Sequence, residues 1–359
     1  MQTQSNKLNF TGQNIYVGFD VHLKSWKVTI LTDGLAHKTF SQPPKPEVLY
    51  NYLNQNFPGG KYHTAYEAGF CGYWIHSKLV SFGIDSMVVN PADIPTTNKE
   101  VVQKEDKRDS RKIAKALRNG DLMPVYVPSL RTLEDRGLIR TRSMLVKDLT
   151  RYKNRIKSFL YFHGIEIPDT FRDSQTHWSR RFMCWLGSIS LSEDSSKLSL
   201  SILLTGSNHL RTELLKVNRN IRSLSKTDRY KDNVSYLQGI PGIGLLTAML
   251  FLTEIESIDR FPNIDKLCSF IGLVPSTNSS GETEKVGKIT PRKHNALRAA
   301  IIESAWVAAR TDPALLKCYH NYCKRMGPNK AIIRIARKLL SRIQHVLKNK
   351  KSYEYSLFE

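Results

Sequence analysis

Acidic residues are scarce in this 359-residue chain: 32 Asp and Glu stand against 54 Lys and Arg, for a formal net charge of +22. In a globular chain such an excess points to a polyanionic partner, with nucleic acid ahead of an anionic membrane surface. Cysteine is scarcer still. The five residues Cys71, Cys184, Cys268, Cys318 and Cys323 are scattered and odd in number, which argues against a disulfide framework and for a reducing, cytoplasmic setting. Cys318 and Cys323 flank His320, but no second ligand pair follows to complete a zinc site. No apolar run approaches the roughly 18 residues of a membrane span, so no membrane partner is expected. Met1 to Asn6 lacks the apolar stretch of a signal peptide. Disorder is excluded by a hydrophobic content of 40%, and the length predicts two or three domains.

What is present divides into thirds. Residues 1–128 alternate strands and helices. Asn14 to Val21 and Trp26 to Leu31 read as apolar strands, and Asp33-Gly34 marks a hairpin into a third strand, Leu35 to Phe40. Helical spacing over Glu47 to Phe57 ends at Pro58-Gly59-Gly60. A strand at Tyr62 to Tyr66, a helix at Gly72 to Phe82, a strand at Ser86 to Val89 and a helix at Lys107 to Arg118 complete the unit. The order β-β-β-α-β-α-β-α is that of the ribonuclease-H-like fold.

Residues 129–235 carry two seams of coiled-coil type. Leu145, Leu149, Tyr152, Ile156 and Phe159 form one; Leu210, Leu214, Val217, Ile221 and Leu224 form the other. Two helices packed within one chain satisfy this pattern as well as a dimer does. Between the seams, Gly164 to Ser207 holds Phe171, Trp178, Phe182 and Trp185, enough to fold, and then a Ser-rich stretch, Ser192 to Ser196, that reads as a linker. Residues 236–359 are expected to be mostly helical. They open with Ile240-Pro241-Gly242-Ile243-Gly244 and an apolar helix, Leu245 to Ile255. A Gly/Ser turn, Ser276 to Gly281, and basic helices follow.

Four carboxylates draw attention in the first third. Asp20 sits inside an apolar strand, where an unpaired charge is costly. Glu67 ends the fourth strand. Asp106 and Asp109 stand at i and i+3 on one face at the start of the last helix. In a ribonuclease-H-like sheet the first and fourth strands are neighbours and that helix crosses beside them, so the four converge. Like charges cannot stay ionised together without cations, and oxygen-only ligands favour Mg²⁺ or Mn²⁺. Two such ions clamp the attacking and leaving oxygens of a phosphodiester. Taken singly, Asp106 and Asp109 read as ordinary helix-start acids and Glu67 as a cap. The Gly-x-Asp of the first strand also resembles an actin-like ATPase phosphate strand, but the second Gly-rich loop of that fold is not evident.

In the last third, Gly242 and Gly244 before a helix resemble a helix-hairpin-helix, whose backbone amides suit a phosphate; a tight turn between packed helices fits equally. Ser279-Ser280-Gly281 precedes Lys285, Lys288, Arg292, Lys293 and Arg298, candidates for nucleic-acid contact. Lys285 to Lys351 holds 17 Lys and Arg against 2 Asp and Glu, net +15. A serine oxygen at such a surface is a candidate nucleophile on phosphorus, and the sequence names no base for it.

Together these residues resemble the IS-one-ten insertion-sequence family of DEDD transposases. The likeness is carried by Gly18-Phe19-Asp20-Val21-His22, Tyr66-Glu67-Ala68-Gly69, Lys104-Glu105-Asp106-Lys107-Arg108-Asp109-Ser110, Ile240-Pro241-Gly242-Ile243-Gly244, Asp259-Arg260-Phe261, Phe270-Ile271-Gly272-Leu273-Val274-Pro275 and Ser279-Ser280-Gly281, in family order. Glu105, Ser110 and Phe70 depart from the usual residues, and none of these changes removes a catalytic oxygen. The resemblance implies a RuvC-like N-terminal domain, a coiled-coil dimerisation segment and a C-terminal transposase domain. It also implies a metal-binding tetrad of Asp20, Glu67, Asp106 and Asp109, and Ser280 as the nucleophile. Its implied partners are donor and target DNA, a structured guide RNA, and further copies of the chain as dimers and tetramers. A metal-dependent junction nuclease that uses water, and a nucleic-acid-binding protein without catalysis, are the alternatives.

Overall fold

A computed structural model describes residues 9–94, 106–280 and 283–354; side chains at 106–108, 277–280 and 283–286 are not among those described. The chain forms two compact units, Met1–Pro128 and Ser129–Glu359.

The first unit is a five-stranded sheet of order β3-β2-β1-β4-β5. Its strands are β1 (Asn14–Val21), β2 (Trp26–Thr32), β3 (Ala36–Gln42), β4 (Lys61–Glu67) and β5 (Asp85–Val89). β1, β2 and β3 form an antiparallel meander, and β4 pairs parallel to β1 and to β5. Alternation divides the side chains between two faces. Ile15, Val17 and Phe19 point to the face covered by α1 (Pro46–Asn56) and α2 (Trp74–Ser81), and share one core with Leu49, Leu53, Ile75 and Leu79. Phe19 stacks on Trp26 and Tyr66, each at 5.2 Å, which ties three adjacent strands together. The opposite face packs against α3 (Asp106–Asn119) through Ala65, Val89, Ile113 and Leu117.

Gly18 sets the distance between β1 and α3. A Cβ at this position would overlap the Ala114 nitrogen and the Ser110 carbonyl oxygen. The bare backbone lets the helix lie directly on the strand. Ser110, fully buried, fixes the helix by a 2.9 Å hydrogen bond to Thr29 of β2.

Among its described residues the second unit is helical apart from one hairpin. Long helices α4 (Leu130–Phe162) and α6 (Asp194–Leu224) run antiparallel, with α5 (Arg180–Ser188) between them in sequence. Arg142 Nε donates to Asn218 Oδ1 at 2.8 Å, and Gly206 lies against the Tyr152 ring. The seams read from the sequence are thus engaged within one chain. At one end Ile156 and Leu160 join Phe171, Phe182 and Leu186 in a small separate core, so the aromatic segment after Gly164 does fold. The supposed linker Ser192–Ser196 is a correction: from Asp194 it is the exposed first turn of α6, because Asp194 complements the helix dipole, pairs with Lys197 and extends a helix whose first buried residue is Leu200.

A second core unites α7 (Lys231–Gln238), α8 (Leu245–Ile255), α9 (Ile264–Ile271), α10 (Asn295–Thr311), α11 (Pro313–Cys323) and α12 (Pro328–Asn349) with Ile139 and Ile221 of the long helices. Between α9 and α10 stand β6 (Pro275–Ser280) and β7 (Thr283–Ile289). The expected turn over Ser276 to Gly281 is a second correction. Residues 276–280 form a strand, because their backbone pairs antiparallel with β7, with Ser280 opposite Thr283.

Candidate active site

Asp20 and Glu67 occupy the C-terminal ends of adjacent parallel strands. Phe19 pairs with Tyr66, so the two carboxylates follow one residue further along, on the face that carries α3. Gly18 and Ala65, two residues earlier on the same face, lie beneath the helix. Asp109 sits in the first turn of α3, next to the buried Ser110. The side chain of Asp106 lies outside the described residues. Asp20 is half-buried, with His22 Nε2 at 2.9 Å from its Oδ2, and Lys27 of β2 faces it in the antiparallel register. Asp109 is half-buried as well and has Lys112 at 3.8 Å. Among the described residues no three His, Cys, Asp or Glu close into a metal-holding group, which also leaves Cys318, His320 and Cys323 without a ligand set. The donor chemistry of Asp20, Glu67 and Asp109 fits a hard divalent cation, since all three offer carboxylate oxygens.

In the second unit Ser280 is the last residue of β6; its side chain and that of Lys285, with Gly281 and Glu282, lie outside the described residues. Lys288, Arg292 and Lys293 are exposed near the base of the hairpin. Their backbone is fixed by Gly272. This residue closes α9 with φ 86°, and a Cβ on it would collide with Lys293 and the Arg292 carbonyl. Arg298 turns back onto the fold and donates to Thr290 O at 2.8 Å.

The Gly242 turn has a structural explanation. Gly242 has φ 85°, and a Cβ there would strike the Ser304 carbonyl of α10. The glycine is needed to seat one helix on another. Gly244 is exposed and caps the N-terminus of α8, with open space where a side chain would be.

Sequence reasoning missed the strongest electrostatic feature of this unit. Glu254 is only 3% exposed inside the apolar helix α8. Arg140 grips it with two parallel hydrogen bonds of 2.8 and 2.9 Å. Arg136 approaches to 3.2 Å and His294 Nε2 to 3.2 Å. Burial pushes the carboxyl upward, but hydrogen bonds from His294 and Arg140 and the Arg136 charge outweigh it, holding the pKa at about 2. His294 Nδ1 accepts the Leu297 amide at 3.3 Å, which leaves Nε2 to donate to Glu254. His294 thereby serves as the cap of α10 and as an anchor. A charge alone in an apolar run is the signal that could have exposed Glu254, as it exposed Asp20.

Two family models match the chain. Residues 17–164 match the DEDD transposase domain of the IS110 type, and residues 234–320 match the transposase IS116/IS110/IS902 family. The transposase for insertion sequence element IS1533 of Leptospira borgpetersenii is 24% identical, over 70% of this chain and 72% of that one. The transposase for insertion sequence element IS1111A of Coxiella burnetii is 26% identical, over 79% and 77%. A putative transposase, y4qE, of Sinorhizobium fredii is 28% identical over 68% of this chain, which spans 58% of that relative's length. A five-stranded α/β unit with a DEDD domain, followed by a basic helical unit with its own transposase domain, defines an insertion-sequence transposase. The chain belongs to the IS116/IS110/IS902 family.

Proposed function

We propose that the chain cuts and rejoins DNA strands through a carboxylate site in its RuvC-like first unit and a serine nucleophile, Ser280, in its second, guided by an RNA of its own element. The observation that carries this reading is the placement of Asp20 and Glu67 at the ends of neighbouring strands, under the helix that bears Asp109. Asp20, Glu67, Asp106 and Asp109 would hold Mg²⁺ or Mn²⁺, which when bound supplies positive charge to polarise the scissile phosphate.

The chain's own groups perform the rest. The Ser280 hydroxyl attacks phosphorus, and the P–O bond to the leaving 3′-oxygen breaks. The serine proton is lost and the 3′-oxygen ends as a hydroxyl. The phosphoserine link conserves the phosphodiester, so the 3′-hydroxyl of another strand can attack it, restore the serine and complete exchange. Lys285, Lys288, Arg292 and Lys293 neutralise backbone phosphates near the hairpin, Arg298 braces their backbone through Thr290, and Gly244 presents a helix N-terminus to another phosphate. Assembly into dimers and tetramers would bring several such sites together on the exchanging strands. With DNA of the element's end and its copurified RNA, strand cleavage is expected in Mg²⁺ and absent after chelation. Equal cleavage with chelator contradicts the carboxylate site, and activity undiminished after ribonuclease treatment contradicts RNA guidance.

A further inference from the structure

A cavity of about 310 Å³ lies between the long helices and the aromatic segment that joins them, far in sequence from every proposed catalytic residue. Leu149 and Lys153 line it from α4, Asn208 and Arg211 from α6, and Trp178 and Met183 from the intervening segment. Its lining contains two cations and no acid. Lys153 Nζ sits over the Trp178 ring, 5.3 Å from its centroid. Arg211 Nη1 donates to the Trp178 carbonyl at 3.2 Å.

Trp178 has a backbone φ of 69°. A bulky residue in this region is strained, and such strain gathers at ligand clamps. Two devices hold it there: the Arg211 bond to its carbonyl, and Phe182, which packs edge-on against its ring at 5.5 Å. Burial and the neighbouring Arg211 and Lys157 charges lower the Lys153 pKa. An anion between Lys153 and Arg211 would relieve that repulsion.

The ligand that fits must carry negative charge, to answer two cations, and a flat apolar body, to lie against tryptophan, leucine and methionine. The volume stands at the low end for small-ligand sites, about 300–1,000 Å³, enough for one nucleotide and far too small for a stacked duplex. We infer that this cavity takes a single unpaired nucleotide of a nucleic-acid strand, with its phosphate between Lys153 and Arg211 and its base against Trp178. This rests on the reading of the chain as a nucleic-acid enzyme and adds a site that takes no part in the chemistry. A strand held here is anchored by stacking and charge, without base-specific readout.

The test uses the full chain in metal-free buffer, so that cleavage plays no part. Ribo- and deoxyribo-homopolymers about 12 nucleotides long, within the span of single-strand sites, carry 5-iodouracil for photo-crosslinking. Crosslinks are expected at Trp178 or Met183 with RNA, with DNA or with both, and the productive sugar identifies the strand that is held. Lys153→Met and Arg211→Gln should each lower crosslinking at that segment and weaken binding about fivefold. Each should also shallow the log–log salt slope by about 0.7, as for one lost single-strand phosphate contact. The inference is overturned if the wild-type chain gives no crosslink between residues 176 and 186, a result that stands even if a variant misfolds. It is also overturned if folded Lys153→Met binds both homopolymers with unchanged affinity and slope. Cleavage is assayed separately in Mg²⁺: retained cleavage there without the crosslink removes this site alone, and the crosslink without cleavage in Mg²⁺ removes the catalytic reading alone.

Discussion

Arg140 and Glu254 meet through two parallel hydrogen bonds, joining α4 to a carboxylate buried in α8 across 114 residues of sequence. His294, on the same carboxylate, caps the helix that follows the β6–β7 hairpin. One buried charge therefore ties α4 to the root of the hairpin whose first strand ends in Ser280. Glu254→Gln leaves Arg136 and Arg140 without their counter-charge. Breaking a buried pair costs about 3–5 kcal/mol, but only Arg136 is buried while Arg140 is 58% exposed and screened by solvent, so denaturant unfolding should show a loss near the low end of that range.

The same group gives a pH signature. Its folded pKa of about 2 lies below the unfolded value, so its stabilisation is complete above the ordinary carboxylate range and is lost as pH falls toward the folded value. Wild-type stability should decline between about pH 5 and pH 2, and Glu254→Gln should lack this part of the slope. Parallel wild-type and variant curves through that window would show that Glu254 is not held in its charged form.

Gly18 makes a prediction about the carboxylate site through packing alone. Gly18→Ala places a Cβ against the backbone of α3 at Ser110 and Ala114, where no flexible side chain can yield. The helix must shift, at a cost of about 1–3 kcal/mol as for other overpacked sites, and Asp109 shifts with it. Thermal unfolding should report the first effect and strand cleavage the second, with cleavage falling more steeply than stability explains.

Much of the first unit was legible because its strands are apolar runs punctuated by turn residues. Asn14–Val21 has the same limits in sequence and structure, and Asp33-Gly34 does connect β2 to β3. Asp20 stood out for a similar reason, as a charge in an apolar strand. Composition misled where tertiary contacts decide. Ser192–Ser196 looks like a linker until the helix anchored at Leu200 runs back through it to Asp194, and Ser276–Ser280 looks like a turn until β7 supplies a ladder. The Gly242 motif fits a phosphate site and a tight helix turn equally in sequence, and the contact that requires its glycine, Ser304 about sixty residues onward, appears only in the fold. Net charge overstated the surface available for DNA. Arg337 bonds Leu273 O and Asp265, Arg342 bonds Asp312, and Lys348 bonds Phe261 O, so these cations hold the fold.

That distinction predicts which cations matter for binding. Lys293 is exposed at the hairpin root, whereas Arg342 is engaged with the nearly buried Asp312. Replacing Arg292 and Lys293 by Ala should shallow the log–log salt dependence of duplex binding by about 0.9 per lost phosphate contact, with little change in melting temperature. Arg342→Ala should instead lower the melting temperature and leave the slope nearly unchanged. The reverse pattern would move the DNA-binding surface elsewhere.

The serine assignment separates two neighbours. Ser280→Ala should abolish the covalent protein–DNA adduct and all recombination while complexes still assemble, and Ser279→Ala should be mild. Adducts formed normally by Ser280→Ala, with Ser279→Ala inactive, would shift the nucleophile by one residue. Adducts from both would remove serine catalysis altogether.

The central claim is that the carboxylates at the ends of β1 and β4 and at the start of α3 form the cleavage site. Its most direct test is strand cleavage in Mg²⁺ by Asp20→Asn and Asp109→Asn, measured beside RNA binding by the same preparations. Each substitution keeps the side chain's size and removes its charge. The account predicts that cleavage falls below detection in both variants while RNA affinity stays within about twofold of wild type, a difference under 0.5 kcal/mol. Full recombination by either variant would contradict it.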